Sequence, residues 1–101
     1  MTEALKFGLP QGVIKAIKEV LGSYAYVERV IIYGSRAMGN YKQGSDIDLC
    51  LEGKNLTVKD LLKIETELDD LLLPWKIDLS VKYMIDNPKL LAHIERVGTE
   101  I

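Results

Sequence analysis

Gly34-Ser35-Arg36-Ala37-Met38-Gly39-Asn40-Tyr41-Lys42-Gln43-Gly44-Ser45-Asp46-Ile47-Asp48-Leu49 is the stretch on which the reading of this chain turns. The run before it, Val27 to Tyr33, is β-branched and aromatic, as a strand is, and Ile47 to Leu51 after it reads the same way. Side chains alternate faces along a strand, so Asp46 and Asp48 project to one side. Two carboxylates on one face repel each other, and a cation resolves the conflict. The stretch reads as a metal–polyphosphate site.

Outward from it, Ser35 to Met38 allows one helical turn, and Gly39 to Gly44 holds turn formers and polar groups, a loop. That connection is too short for a parallel crossover, so the flanking strands are expected antiparallel, the second starting near Ser45. Thr57 opens a helix with Asp60 as its capping-box-like partner; Leu61, Ile64, Leu68, Leu71 and Leu72 form its apolar stripe, and Pro74 is its expected end. Lys76 to Lys82 alternates, with Ile77, Leu79 and Val81 on one face and Asp78 and Ser80 on the other. Strand, helix, strand implies a parallel pair joined by a right-handed crossover. Asn87-Pro88 starts a last helix with Leu90, Leu91, Ile94 and Val97 as its stripe and Gly98 after it. Upstream, Pro10 suits a first helical turn, Val13, Ile14, Ile17, Val20 and Leu21 share one face, and Gly22 is the expected stop. Met1 to Leu9 shows no period and reads as a loose lead-in; Thr99 to Ile101 is too short to classify. The expected architecture is one α/β domain over residues 1–101, with a mixed sheet of at least three strands flanked by helices.

Composition narrows the function classes. A hydrophobic fraction of 48% and a charged fraction of 28% are ordinary for a globular domain. Net charge is −2, which argues against direct nucleic-acid binding through a basic surface. There is no run of membrane-spanning length and no signal-peptide pattern, so no membrane role and a cytoplasmic setting are expected. The one cysteine, Cys50, lies in an apolar run and reads as a small core residue.

The strand directions make a geometric prediction. Gly34 ends the first strand, Asp46 begins the antiparallel second, and Asp78 lies near the start of the third, parallel to the second. Three acids and a Gly-Ser turn therefore meet at one end of the sheet. Mg²⁺ prefers oxygen ligands and is held by a few carboxylates plus substrate phosphates. Two such ions roughly 3.5–4 Å apart stabilise both oxygens of an in-line phosphoryl displacement. Asp46 and Asp48 would hold the ions; Asp78 would complete the attacking-side site and accept the nucleophile's proton. Gly34 lets the backbone approach a polyphosphate, Ser35 offers a hydroxyl and a helix-start N–H, Arg36 is expected to pair with phosphate oxygens, and Lys42 to assist. Taken singly, a Gly-Ser pair is an ordinary turn, and Asp-x-Asp or Asp78 is ordinary strand polarity. The signal lies in the combination.

At these residues the chain resembles the nucleotidyltransferase superfamily that includes the DNA polymerase β-like enzymes, whose signature is Gly-Ser, a ten-residue gap, Asp-x-Asp and a third Asp on a later strand. It is most similar to the minimal nucleotidyltransferases, whose Gly-Ser-Arg-Ala-x-Gly and Gly-Ser-Asp-Ile-Asp-Leu segments occur here as residues 34–39 and 44–49. Pro74 to Leu79 and His93-Ile94-Glu95-Arg96 extend the likeness over almost the whole chain. Met38 departs from it, standing where many members carry a basic residue, which implies weaker phosphate contacts with the carboxylates untouched. The resemblance implies the nucleotidyltransferase fold, a nucleotide site including Gly34, Ser35, Arg36, Gly44 and Ser45, and Asp46, Asp48 and Asp78 as metal-binding catalytic residues. It also implies transfer of a nucleoside monophosphate from a triphosphate, usually ATP, with two Mg²⁺ ions. Minimal members resemble antitoxins that add AMP to a tyrosine of a helical HEPN-type toxin encoded nearby, so a hetero-oligomer is expected.

Three functions compete: adenylylation of such a partner, nucleotidylation of a small-molecule hydroxyl of the aminoglycoside kind with a separate acceptor-binding subunit, and non-catalytic occlusion of a partner. The acidic triad argues against the third, because a pure binder gains nothing from it. Chain length leans towards the first, since 101 residues leave no room for an acceptor-binding domain. His93 reads as a packing or surface residue. Trp75 and Tyr83 read as core or boundary packing, as platforms for a base, or as contacts for a partner, and Tyr41 is left without a role.

Overall fold

The computed structural model describes residues 5–101. Its main sheet has four strands, β3 (Arg29–Tyr33), β4 (Ile47–Glu52), β5 (Ile77–Val81) and β6 (Thr99–Glu100), in spatial order β5-β4-β3-β6. As expected, β3 and β4 are antiparallel and β4 and β5 parallel. The helices are α1 (Gln11–Gly22), α2 (Gly34–Met38), α3 (Val58–Asp69) and α4 (Pro88–Val97).

Strand alternation divides the buried residues into two cores. Ile32 of β3, Ile47, Leu49 and Leu51 of β4, and Leu79 and Val81 of β5 join Ile17 and Leu21 of α1 and Ile64 and Leu68 of α3 in the larger one. Complete burial of a side chain such as Ile64 contributes roughly 1.5–3 kcal/mol. The opposite parity, Ile31, Tyr33 and Cys50, packs on Ile94 of α4, with Ile85, Leu90 and Val97 around it. Asp48 and Asp78 share the parity of Cys50 and Ser80 and so face the α4 side. Placing the acids therefore falls to the thinner layer.

Several boundaries moved. The Thr57–Asp60 capping box is fully formed, and Asn87 caps α4 with Pro88 at its first position. The helix expected to run to Pro74 stops instead at Asp69, and Leu72, at φ 54°, turns the chain before proline is reached. Of the lead-in expected over residues 1–9, residues 1–4 lie outside the described residues. The remainder is ordered as a hairpin, β1 (Leu5–Lys6) with β2 (Leu9–Pro10), turning on Phe7 and Gly8, both at positive φ. Two-residue strands leave no period to read. The unclassified tail is β6, paired with β3 through Ile31–Glu100 and Ile32–Thr99. Gly98 allows the turn into it, because a methyl group there would meet the Ile94 carbonyl and the Ile31 side chain. Among the described residues no helix is long and apolar enough to cross a membrane.

Candidate active site

The site is a backbone notch at the end of β3 with acids across from it. Gly34 takes φ 73°, a left-handed conformation that favours glycine, and opens α2 directly from the strand. A methyl group at Gly34 would land on Asp48 Oδ2. The Asp48 carboxylate thus lies against the bare backbone of the turn. Tyr33, one residue before, is the register partner of Asp48 on β4, and Asp48 is in turn the register partner of Asp78 on β5. Neighbouring strands lie about 4.8 Å apart, so the two carboxylates leave the same sheet face side by side. Asp46 precedes β4 at the same sheet end, and the next residue ties the strand to β5 through Ile47 N–H to the Lys76 carbonyl, 2.8 Å. Asp46 and Asp78 are exposed, whereas Asp48 is half-buried.

This arrangement is electrostatically uncomfortable, as the sequence implied. Burial pushes the Asp48 carboxyl pKa up, and the Asp78 and Asp46 charges push it further; the Arg36 charge pulls the other way. Burial also raises the Tyr33 hydroxyl, reinforced by Asp48 and Asp78. Among the described residues no three Asp, Glu, His or Cys side chains close on a common point that could hold a metal ion. The acids share a sheet end but form an open set. Such a set suits Mg²⁺, which characteristically takes one or two carboxylates and completes its shell with water and substrate phosphates. The donors are all hard oxygens, and the turn beside them carries no side chain at Gly34.

Arg36 has partners that its residue type does not announce. Its expected place was on phosphate oxygens, but it is 2% exposed and its guanidinium faces inward. Nε and Nη2 donate to the Ser45 carbonyl at 3.2 and 2.9 Å, Nη1 donates to the Phe7 carbonyl at 2.9 Å, and Nη2 also reaches the Gln43 carbonyl at 3.5 Å. The Tyr41 and Trp75 rings lie 5.2 and 5.7 Å from its centre, giving Tyr41 the role that the sequence left blank. Trp75 Nε1 donates to Gln43 at 3.0 Å. A charged group this buried has to satisfy its donors internally, and three backbone carbonyls do so. Arg36 therefore fastens the loop that leads to Asp46.

The other expected nucleotide residues fall nearby. Ser35 follows the notch within α2, and its carbonyl accepts from Gly39 and Asn40 N–H. The Ser45 hydroxyl accepts from Lys42 N–H at 2.8 Å and closes the loop, with Lys42 and Gly44 exposed. Gly44 has open space around it and no conformational need for glycine. The residue that sequence reasoning missed is His93. From α4 its Nε2 accepts the Gly34 N–H at 3.2 Å, and its ring stands edge-on to Tyr33 at 6.1 Å. A histidine beside an apolar helical stripe gives no sign of which distant N–H it will meet.

Residues 15–101 match the family model described as polymerase beta, nucleotidyltransferase. A Methanocaldococcus jannaschii protein named as a candidate protein adenylyltransferase is 32% identical over 84 residues, spanning 82% of this chain and 85% of that one. A toxin–antitoxin crystal structure with AMP-PNP superposes with a TM-score of 0.69 at 17% identity, over 91% of this chain and 72% of that one. A complex of tri-AMPylated Shewanella oneidensis HEPN toxin with its MNT antitoxin gives 0.60 at 15% identity, over 89% and 66%. At these identities the two structures speak for the fold alone.

Proposed function

This chain belongs to the polymerase beta nucleotidyltransferase family, and we propose that it transfers AMP from ATP to a hydroxyl, a tyrosine before others, of a helical HEPN-type partner, silencing that partner as an antitoxin. The observation that carries the chemistry is the side-chain-free notch at Gly34 with the Asp48 carboxylate against it and Asp78 in register beside Asp48. The adenylyltransferase relative and the fold shared with HEPN-bound antitoxins support a protein as acceptor.

In this reading the Gly34-Ser35 turn receives the polyphosphate, where backbone can approach closely and α2 begins. Asp46 and Asp48, with Asp78, would hold two Mg²⁺ ions, which would supply charge neutralisation for the phosphates. Asp78, exposed at the start of the edge strand β5, would take the proton of the incoming hydroxyl as its oxygen bonds to the α-phosphorus and pyrophosphate departs. Arg36 and Trp75 hold the 39–46 loop so that Asp46 arrives at a fixed place.

The test is intact-mass measurement of the neighbouring gene's protein after incubation with this chain, Mg²⁺ and ATP. One or more AMP additions, lost with Asp48→Asn, are expected. Stable association without any mass gain would replace catalysis by occlusion. Neither gain nor association would remove the protein acceptor.

A further inference from the structure

We infer that His93 is a positioning residue for nucleotide binding: through Nε2 it fixes the peptide that opens the Gly34-Ser35 turn, coupling α4 to the phosphate-receiving backbone. The inference rests on the proposed nucleotide site and adds to it a residue 59 positions along the chain from Gly34.

A helix start leaves its first N–H groups without intrahelical partners, and side chains commonly satisfy one of them. At α2 the preceding residue is Tyr33, which makes no side-chain cap. The Gly34 N–H instead crosses to α4 and donates to His93 Nε2 at 3.2 Å. For Nε2 to accept, its lone pair must face Gly34, which places the ring proton on Nδ1. The ring's orientation is fixed independently by its edge-on contact with Tyr33. Behind it, Ile94 seats α4 in the smaller core beside Ile31 and Tyr33.

The consequence follows from what else meets at Gly34. Its left-handed conformation and the Asp48 carboxylate packed against it leave little room for the peptide to rotate. The bond from His93 fixes the remaining freedom, the direction of the N–H at the head of the turn. Without it, the turn must be ordered when phosphate arrives, and that cost appears as weaker nucleotide binding. His93 need not touch the nucleotide; it acts through Gly34.

Two substitutions separate acceptor from filler. In His93→Gln the side-chain carbonyl can take over the Nε2 position, whereas His93→Leu fills the space without an acceptor. Titration of the full chain with Mg²⁺ and AMP-PNP is expected to show roughly 3- to 10-fold weaker binding for the leucine variant, the range of one neutral hydrogen bond. The glutamine variant should stay within about twofold of the unaltered protein. Amide hydrogen exchange without nucleotide gives a second reading: Gly34 protection should persist with glutamine and fall with leucine. Equal affinities in all three proteins, or equal losses in both variants, would overturn the positioning role. If the unaltered chain binds no AMP-PNP with Mg²⁺, the nucleotide site itself is wrong and this inference falls with it.

Discussion

Replacing Arg36 by alanine decides between two jobs for the same side chain. A phosphate-pairing arginine would, when truncated, raise the KM for nucleotide and leave the fold alone. The structure instead has the guanidinium donating to the carbonyls of Phe7, Gln43 and Ser45, with Tyr41 and Trp75 alongside. Hydrogen bonds to a charged group contribute roughly 1.5–3 kcal/mol each, but truncation would let water reach the exposed loop carbonyls and recover part of that. Counting the two 2.9 Å bonds as the strong ones, and each ring contact at about 0.5–1 kcal/mol, a net loss of about 3 kcal/mol is expected. For a domain of this size that lowers Tm by about 12–24 °C. Urea unfolding and a thermal melt of Arg36→Ala beside the unaltered chain measure it. Arg36→Lys should recover only part, because one ammonium cannot reach carbonyls on two segments in a planar fork. Stability within about 0.5 kcal/mol of the unaltered chain, accompanied by a raised nucleotide KM, would refute the reasoning and return Arg36 to the phosphates.

Three further perturbations probe the site and its scaffold. Gly34→Ala combines left-handed strain with a clash on Asp48; it should cost about 2 kcal/mol or more in unfolding free energy and abolish AMP-PNP binding by calorimetry. Asp48→Asn should abolish transfer yet stabilise the metal-free protein. The Asp48 pKa is raised on folding, so its penalty is complete well above the folded value and fades as pH falls towards the ordinary 3.8. Melts of both proteins against pH should therefore diverge most near neutrality and converge in acid, and Mg²⁺ should raise Tm only for the unaltered chain. Thr57→Ala removes the α3 cap far from the notch, and should cost about 1 kcal/mol by denaturant unfolding with transfer rate unchanged.

What could be read in advance follows from where the information is stored. Strand directions and the placing of Gly34, Asp46, Asp48 and Asp78 at one end of the sheet were legible because alternation and connection length are local properties of the sequence. The caps at Thr57 and Asn87 were legible for the same reason. The hairpin at Leu5–Pro10 and strand β6 were not, since two residues show no period and their pairing is decided by what lies opposite. The internal partners of Arg36 were not legible for a more instructive reason. Its type and position suit phosphate, and what it meets within the fold is a set of backbone carbonyls, which every residue has and no sequence marks. His93 was missed for the converse reason, its partner being a backbone N–H.

These two side chains make sense of the notch as a mechanical problem. Asp48 is held half-buried beside two like charges, an arrangement that favours any movement separating them. The two backbone segments that flank the acids are the turn at Gly34 and the loop before Asp46. Each is tied to a distant element, the turn to α4 by His93, and the loop to β2's hairpin and Trp75 through Arg36 and Gln43. Both ties end on main-chain atoms, so they restrain backbone position without a direct hydrogen bond to the acids. On the proposed reading, a cation bound beside the acids would relieve that repulsion, so that binding, rather than folding, would collect the electrostatic energy.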